Sequence, residues 1–554
     1  MIVPARGAPS SRIRGLVIAF SACTGASPLA AQSDLSTITD KVFAPWNSTR
    51  GPGCAVGIAR GGHVLLRRGY GMADLVADRS ITGETILESG SVAKQFTATA
   101  VLLLMADGKL ALDDDARKYL PELPRYSRPI TIRNLLTHTS GLREWSNLVA
   151  WQGWPRGTRA HTQDDVFALL THQTALNYPV GDYYSYTNSG FLLLRTLIER
   201  VSGQSFTAFT ASRIFRPLGM THTQWRDDFT RLVPGLAQAY TRAPDGWHLD
   251  MPFDNVIGAG GLLTTVGDWL AWNEALTRKT LGVAVVDSMM RHMRLTSGLD
   301  IQYALGIVQT SYRGVREVSH SGSTAGYSTF LVRYPDRDNL SIAVMCNAAG
   351  AAATAYTHAI VDAMLPDLPR AVAMDSVAMT PDDQADLASY AGYYRDTRTN
   401  TAMALEAVGG QLRRVGGPAA RKLRDGSVAF GPTRMRFERG AGSPRSLKQA
   451  TADGDTVVYV FAGAPWTPTA AELAALAGRY RNDEIGVTFE LSAGTGTLLM
   501  SPRAGVVDTL TPTYRDAFSD SGGSVWFSRD AAGRVVAKHL GSARVWDLVS
   551  PRVR

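Results

Sequence analysis

The sequence predicts an α/β sandwich, an antiparallel sheet flanked by helices, followed by two small antiparallel β-barrels. Three observations carry that prediction. Strand-like runs at both ends of residues 50–365 enclose a helix-rich middle, so the sheet is completed by the two ends of the segment. After Pro366 the pattern turns to apolar/polar alternation with glycine-rich turns, the signature of antiparallel sheet. That tail also repeats itself: Leu387-Ala-Ser-Tyr-Ala-Gly-Tyr-Tyr394-Arg matches Leu473-Ala-Ala-Leu-Ala-Gly-Arg-Tyr480-Arg at an offset of 86 residues, which implies two related β units.

In chain order, residues 1–31 read as an export signal. Arg6, Arg12 and Arg14 precede a short apolar run at 15–20, and small residues lead to Ala30-Ala31-Gln32. Cleavage after Ala31 is the first reading and lipid attachment at Cys23, in Phe20-Ser-Ala-Cys23, the second; both place the chain in the periplasm or outside the cell. Residues 32–368 form the α/β unit. Its first strand pair is Cys54-Ala-Val-Gly-Ile-Ala and His63-Val-Leu-Leu, turned at Gly61-Gly62. The stretch 91–108 is apolar nearly all round and stopped by glycine, a buried helix. Strand character returns at 316–319, 327–334 and 340–346, before a helix over 351–364. Prolines at 366, 369 and 381 punctuate a linker, and the β units follow at 380–464 and 470–554.

Composition excludes several classes. The 554 residues are 45% hydrophobic and 19% charged, which is neither disordered nor coiled-coil. A net charge of +8 is too dilute over this length for a nucleic-acid binder. Segment 395–448 holds twelve basic and four acidic residues, a surface for an anionic polymer or simply a solvated barrel exterior. Beyond the export signal no apolar run reaches the roughly 18 residues of a membrane span. The three cysteines fit no zinc pattern, His-Glu-x-x-His is missing, and the reading calls for no cofactor or metal.

Three short motifs carry chemistry. Of eight lysines, Lys94 alone has a serine three residues before it. That spacing stacks Ser91 and Lys94 on one helix face, and Gly90 lets the serine start the helix, where N–H groups favour developing negative charge. An ammonium packed in apolar surroundings loses solvation, its proton affinity falls, and it can take the serine proton. Next, Tyr186-Thr187-Asn188 lies in a polar loop before the apolar run 191–198; a phenol near a lysine relays protons and a carboxamide can hold a substrate amide. Last comes His320-Ser321-Gly322, at a strand end before Ser323, where glycine lets a substrate lie against the strand edge and a strand N–H can face the reacting carbonyl.

In this order the motifs resemble the penicillin-recognising serine hydrolases, in the branch of class C β-lactamases and D-alanyl-D-alanine carboxypeptidases. The likeness extends to Leu135-Leu-Thr-His-Thr-Ser-Gly-Leu142 and Gly258-Ala-Gly-Gly-Leu-Leu-Thr264 and covers residues 35–365. It implies a β-lactamase/transpeptidase-like fold with lipocalin-like barrels, Ser91 as acylated nucleophile, Lys94 as base and Tyr186 as proton shuttle. Asn188, His320, Gly322 and Ser323 would bind substrate, the N–H groups of Ser91 and Ser323 forming the oxyanion hole. His320 would stand where most β-lactamases carry lysine, exchanging a fixed cation for a group that titrates near neutrality. The histidine form and the two barrels are similar to D-stereospecific aminopeptidases, in which a loop of the last barrel selects a free amino terminus. The counterpart here would be 519–523, with Asp520.

The resemblance therefore implies an exported serine hydrolase acting on short peptides or amides with D-residues, peptidoglycan fragments among them. Esterase or β-lactamase activity on the same scaffold is the alternative. A reading of another class, a cell-wall or β-lactam-binding receptor that acylates without turnover, is opposed by the intact Ser91, Lys94 and Tyr186. It also implies that Cys54 and Cys346 lie on adjacent antiparallel strands, which leaves a disulfide and two buried thiols both open.

Overall fold

The computed structural model describes Met1 and residues 28–370, 374–439, 445–451, 454–520 and 522–553. Cys23 and most of the expected export signal lie outside the described residues, and the expected cleavage point after Ala31 falls within a helix, Pro28–Phe43.

Six strands build the sheet of the α/β unit: β1 (Cys54–Arg60), β2 (His63–Tyr70), β3 (Val308–Tyr312), β4 (Val315–Thr324), β5 (Tyr327–Tyr334) and β6 (Leu340–Cys346). Their order is β3-β4-β5-β6-β1-β2, all antiparallel, so the two ends of the segment do meet, at β6 and β1. Alternation along the strands sends side chains to two faces. Ala55, Ala59, Leu331, Ala343 and Met345 join the core under helices Lys94–Ala106, Ser189–Ser202 and Val266–Arg278. Cys54, Val56, Ile58, Ile342 and Val344 join the core under helices Pro28–Phe43 and Ala353–Met364. Cys54 pairs with Cys346 across β1 and β6, and the two are bonded as a disulfide. Two details differ from the sequence reading. β4 is longer than 316–319 and runs through the His320 motif, and β3 is an additional edge strand whose polar sequence Val-Gln-Thr-Ser-Tyr hides its periodicity.

The tail forms two eight-stranded barrel-like antiparallel sheets, the first half-closed, the second nearly closed by a bridge from Tyr480 to Arg552. The repeat has a local structural meaning. Thr380 and Thr469 each cap a short helix, Pro381–Ala388 and Ala470–Leu476, through a capping box with Asp383 and Glu472. The following tyrosines, Tyr394 and Tyr480, are fully buried and donate back to Tyr390 O (2.9 Å) and Leu476 O (2.7 Å). Among the described residues no helix is long and apolar enough to cross a membrane.

Candidate active site

Ser91 sits in a tight turn, Gly90–Ala93, that leads directly into the helix Lys94–Ala106. Gly90 has a positive φ of 52°, and a Cβ there would stand 2.6 Å from the backbone N of Ser323. Gly322 is as constrained, for its Cβ would meet Ser89 O at 2.1 Å. Two glycines thus let β4 press against the nucleophile turn, the approach that an oxyanion hole built from the N–H groups of Ser91 and Ser323 requires.

Lys94 is fully buried, and its Nζ lies 3.1 Å from Ser91 Oγ, 2.7 Å from Asn188 Oδ1 and 2.7 Å from Ala259 O. Burial pushes its proton affinity well below the ordinary lysine value; Glu144 opposes the shift and Arg544 adds to it. A neutral amine has two N–H groups and one lone pair. With the two N–H groups donated to Asn188 and Ala259, the lone pair is left for the Ser91 hydroxyl proton. The 258–264 segment thus has a local purpose, since it supplies the carbonyl of Ala259.

Tyr186 is part-buried with its hydroxyl fully covered, and burial pushes its phenol up, with the Ser91 hydroxyl and then Arg544 pulling against that. Its hydroxyl lies close enough to feel Ser91, yet it makes no hydrogen bond of good geometry among the described residues and is open to a reacting group. Lys94 Nζ stands 4.9 Å from the Tyr186 ring centre. An amine of lowered proton affinity and a protonated phenol around one hydroxyl divide the work: the amine, once neutral, can accept a proton and the phenol can give one.

The loop is held by residues that the motifs did not reveal. Buried Glu144 accepts from Asn188 N (2.6 Å), Asn188 Nδ2 (3.0 Å) and Thr187 Oγ1 (3.0 Å). His138, at a positive φ of 57°, accepts from Thr187 N through Nδ1 and stacks on Tyr186 at 4.2 Å. Its place in the 135–142 motif was legible, its role was not. Asn188 holds Lys94 and Glu144 at once, so it orients the base as well as bordering the cleft.

His320 differs from the group titrating near neutrality that the sequence implied. Burial and the neighbouring Lys94 push it down to about 3, so it is neutral. Nδ1 lies 2.6 Å from Ser321 O and Nε2 3.0 Å from Tyr303 Oη. A carbonyl only accepts, so Nδ1 carries the proton and Nε2 accepts from Tyr303. Both ring nitrogens are occupied by protein groups.

These residues open on a cleft of about 1120 Å³, lined by Ser91, Tyr186, Asn188 and the 320–323 strand, by the first turn of helix Ala353–Met364, by Pro432 of the first barrel and by Arg544 of the second. No residue of segment 519–523 lines it among those described; Asp520 instead accepts from Gly522 N and Gly523 N within its own turn. The last barrel reaches the site through a different hairpin, the turn before Val545–Pro551. Among the described residues no cluster of three or more His, Cys, Asp or Glu could hold a metal.

A model of the Beta-lactamase family matches residues 38–364. The chain is 27% identical over 541 residues to a D-aminopeptidase of Brucella ovis, a match covering 92% of this chain and 97% of that protein. To a penicillin-binding protein of Bacillus subtilis it is 30% identical over 297 residues, 50% of this chain and 64% of that protein. Among solved structures it is similar to an octameric penicillin-binding protein homologue from Pyrococcus abyssi, at TM-score 0.54 and 20% identity over 85% of this chain and 98% of that one. It is similar too to a D-amino acid amidase from Ochrobactrum anthropi, at TM-score 0.51 and 19% identity over 60% of this chain and 99% of that one. Both structural likenesses speak to the fold alone. With a part-buried serine that lines the cleft bonded to a buried lysine, and the family model matched over more than half its length, the chain belongs to the Beta-lactamase family, as a serine hydrolase.

Proposed function

We propose that this protein hydrolyses amide or peptide bonds of short substrates with D-residues through an acyl-enzyme on Ser91. The observation that carries the reading is the 3.1 Å contact of buried Lys94 Nζ with Ser91 Oγ beside Tyr186, with burial lowering the proton affinity of the amine and keeping the phenol protonated. Ser91 Oγ attacks the substrate carbonyl carbon while its proton passes to Lys94 Nζ. The C–N bond then breaks, the departing amine takes a proton relayed through Tyr186, and water releases the acyl group from Ser91 by the reverse route. The negative oxygen of each tetrahedral intermediate is held by the N–H groups of Ser91 and Ser323. The D-residue preference is supported by the D-aminopeptidase likeness, which runs through both barrels. Export, with loss of residues 1–31, is part of the proposal and is supported by the Cys54–Cys346 disulfide, a bond that persists in oxidising compartments. Peptidoglycan fragments are the natural source of such peptides there.

The test is an acyl-donor panel of D- and L-amino-acid p-nitroanilides, D-peptides, p-nitrophenyl esters and nitrocefin, run on wild type and Ser91→Ala. The expected result is turnover of D-amides and D-peptides over their L-forms, all lost together in Ser91→Ala. Rapid ester cleavage with no D-amide turnover replaces the reading with an esterase, and efficient nitrocefin turnover with a β-lactamase. A stable Ser91 adduct without product release makes the protein a receptor.

A further inference from the structure

The helix Val266–Arg278 and the sheet beneath it leave a gap at one place, away from the nucleophile. One face of the helix, at Gly267, Leu270, Ala271, Glu274 and Thr277, lies over a row of cross-strand neighbours: Arg333 on β5, Ser341 on β6 and Ala59 on β1. Gly267, Ala271, Ala59 and Ser341 are all small, and a cavity of about 230 Å³ remains between them. It shares no lining residue with the catalytic cleft. On β5 it begins beyond Thr329, whose hydroxyl donates to Ser89 O at 2.8 Å, and Arg333 is roughly 13 Å farther along the strand.

Arg333 is only 7% exposed, yet among the described residues it has no carboxylate within ion-pair distance. Nη1 reaches Thr277 Oγ1 at 3.3 Å, Nη2 faces Met290 Sδ at 3.8 Å, and Nε has no partner. Burial, and then the neighbouring cation Arg316, push the guanidinium down to about 10, which leaves it charged at neutral pH. A buried guanidinium with most of its N–H groups unspent is costly until an acceptor completes it. Ser341 stands beside it as a second donor: its Oγ accepts from Asn273 Nδ2 at 2.7 Å, so its own proton remains to be given. Glu274 also borders the cavity, with its carboxylate engaged by Arg278 Nε one turn along the helix.

We infer that this cavity binds a small oxyanion, a carboxylate or a phosphate, between the guanidinium of Arg333 and the hydroxyl of Ser341. A planar guanidinium gives parallel N–H groups to two oxygens of either group. The volume lies below that of drug-sized sites, roughly 300 Å³ and more, so the occupant is an ion of few heavy atoms. Glu274 repels it and limits its affinity.

The experiment follows thermal denaturation of the full chain at neutral pH against sodium phosphate and, separately, sodium acetate, with sodium chloride holding the ionic strength constant. Wild type is expected to show a saturable rise in Tm with at least one of the two, and the one that acts assigns the oxyanion. Arg333→Gln should raise the half-saturating concentration about tenfold or more, the scale of a lost charge-assisted bond. Ala271→Leu fills the cavity without touching the charge and should abolish the response. Glu274→Gln removes a like charge and should lower the half-saturating concentration. Arg544→Gln, in the separate catalytic cleft, should leave it within about twofold. No saturable rise in wild type with either anion overturns the inference, and so does a response that Arg333→Gln keeps within about twofold of wild type. Should Arg333→Gln fail to fold, Ala271→Leu decides on the same criterion.

Discussion

In the second barrel Leu473, Leu476 and Phe489 share one hydrophobic cluster with Leu148, Val149 and Trp151 of the catalytic domain; in the first, Leu387, Tyr394 and Leu447 close a cluster of barrel residues alone. The polar seams differ in the same way. Arg143, only 4% exposed, pairs with Glu484 of the second barrel, whose carboxylate also accepts from Thr174 Oγ1 at 2.7 Å and Ala175 N at 2.9 Å. The first barrel offers Arg398 stacked on Tyr183 at 4.5 Å, its guanidinium already committed to Asp455 within the barrel. Two copies of one module have thus come to do different things. The copy whose turn inserts into the catalytic domain shares its core, and Arg143 leads two residues later to Trp145, whose N donates to Ser189 Oγ beside the Asn188 loop. The other copy lends the cleft a wall.

The largest effect that tests this contrast is on stability. Glu484→Ala leaves Arg143 buried without its carboxylate and is expected to cost about 3 to 5 kcal/mol, whereas Asp455→Ala frees a more exposed Arg398 and costs about 1 kcal/mol or less. Urea denaturation of the two variants measures both, and equal losses would erase the distinction between the barrels.

A second effect sharpens it through pH. The base must be neutral, so kcat/KM rises as pH rises through the lowered proton affinity of Lys94. Glu144 favours the ammonium, so Glu144→Gln moves this acidic limb to lower pH. Arg544 disfavours it, so Arg544→Gln moves the limb to higher pH. Asp455→Ala, in the first barrel, leaves it in place. Shifts of the same sign in Glu144→Gln and Arg544→Gln would contradict the electrostatic arrangement.

The smallest effect concerns what the copies retain in common. Tyr394→Phe and Tyr480→Phe each remove one buried hydrogen bond, to a carbonyl just past one helix end and at the other, and should each cost about 1 kcal/mol. The first should leave kcat/KM for the D-amide unchanged. Unequal losses by thermal melts would mean that the repeat is conserved in outline and not in energetics.

Much of the site was legible because its chemistry is encoded locally. Ser91 and Lys94 are one turn apart, and Tyr186 and Asn188 precede a helix, so spacing alone brings each pair together. What joins the pairs is long-range and was not legible. Glu144 meets Asn188 across 44 residues and Arg544 meets Tyr186 through the docking of a barrel; neither hairpin nor loop carries a pattern that announces the contact. Segment 519–523 was the natural candidate by its place in the barrel, and its turn is satisfied by Asp520 instead. The protonation of His320 was misjudged for a related reason: a sequence shows the imidazole and not the Tyr303, Ser321 and Lys94 that surround it. The fold was easier, since strand alternation, the linker prolines and the 86-residue repeat are all written along the chain.

The most direct test of the proposed chemistry is intact-protein and peptide mass spectrometry on enzyme acid-quenched during turnover of a D-amino-acid amide. The expected spectrum shows the mass of the D-acyl group added to the peptide that contains Ser91, present in wild type and missing in Ser91→Ala. Turnover that persists in Ser91→Ala, or an acyl group carried on any other residue, would contradict the assignment.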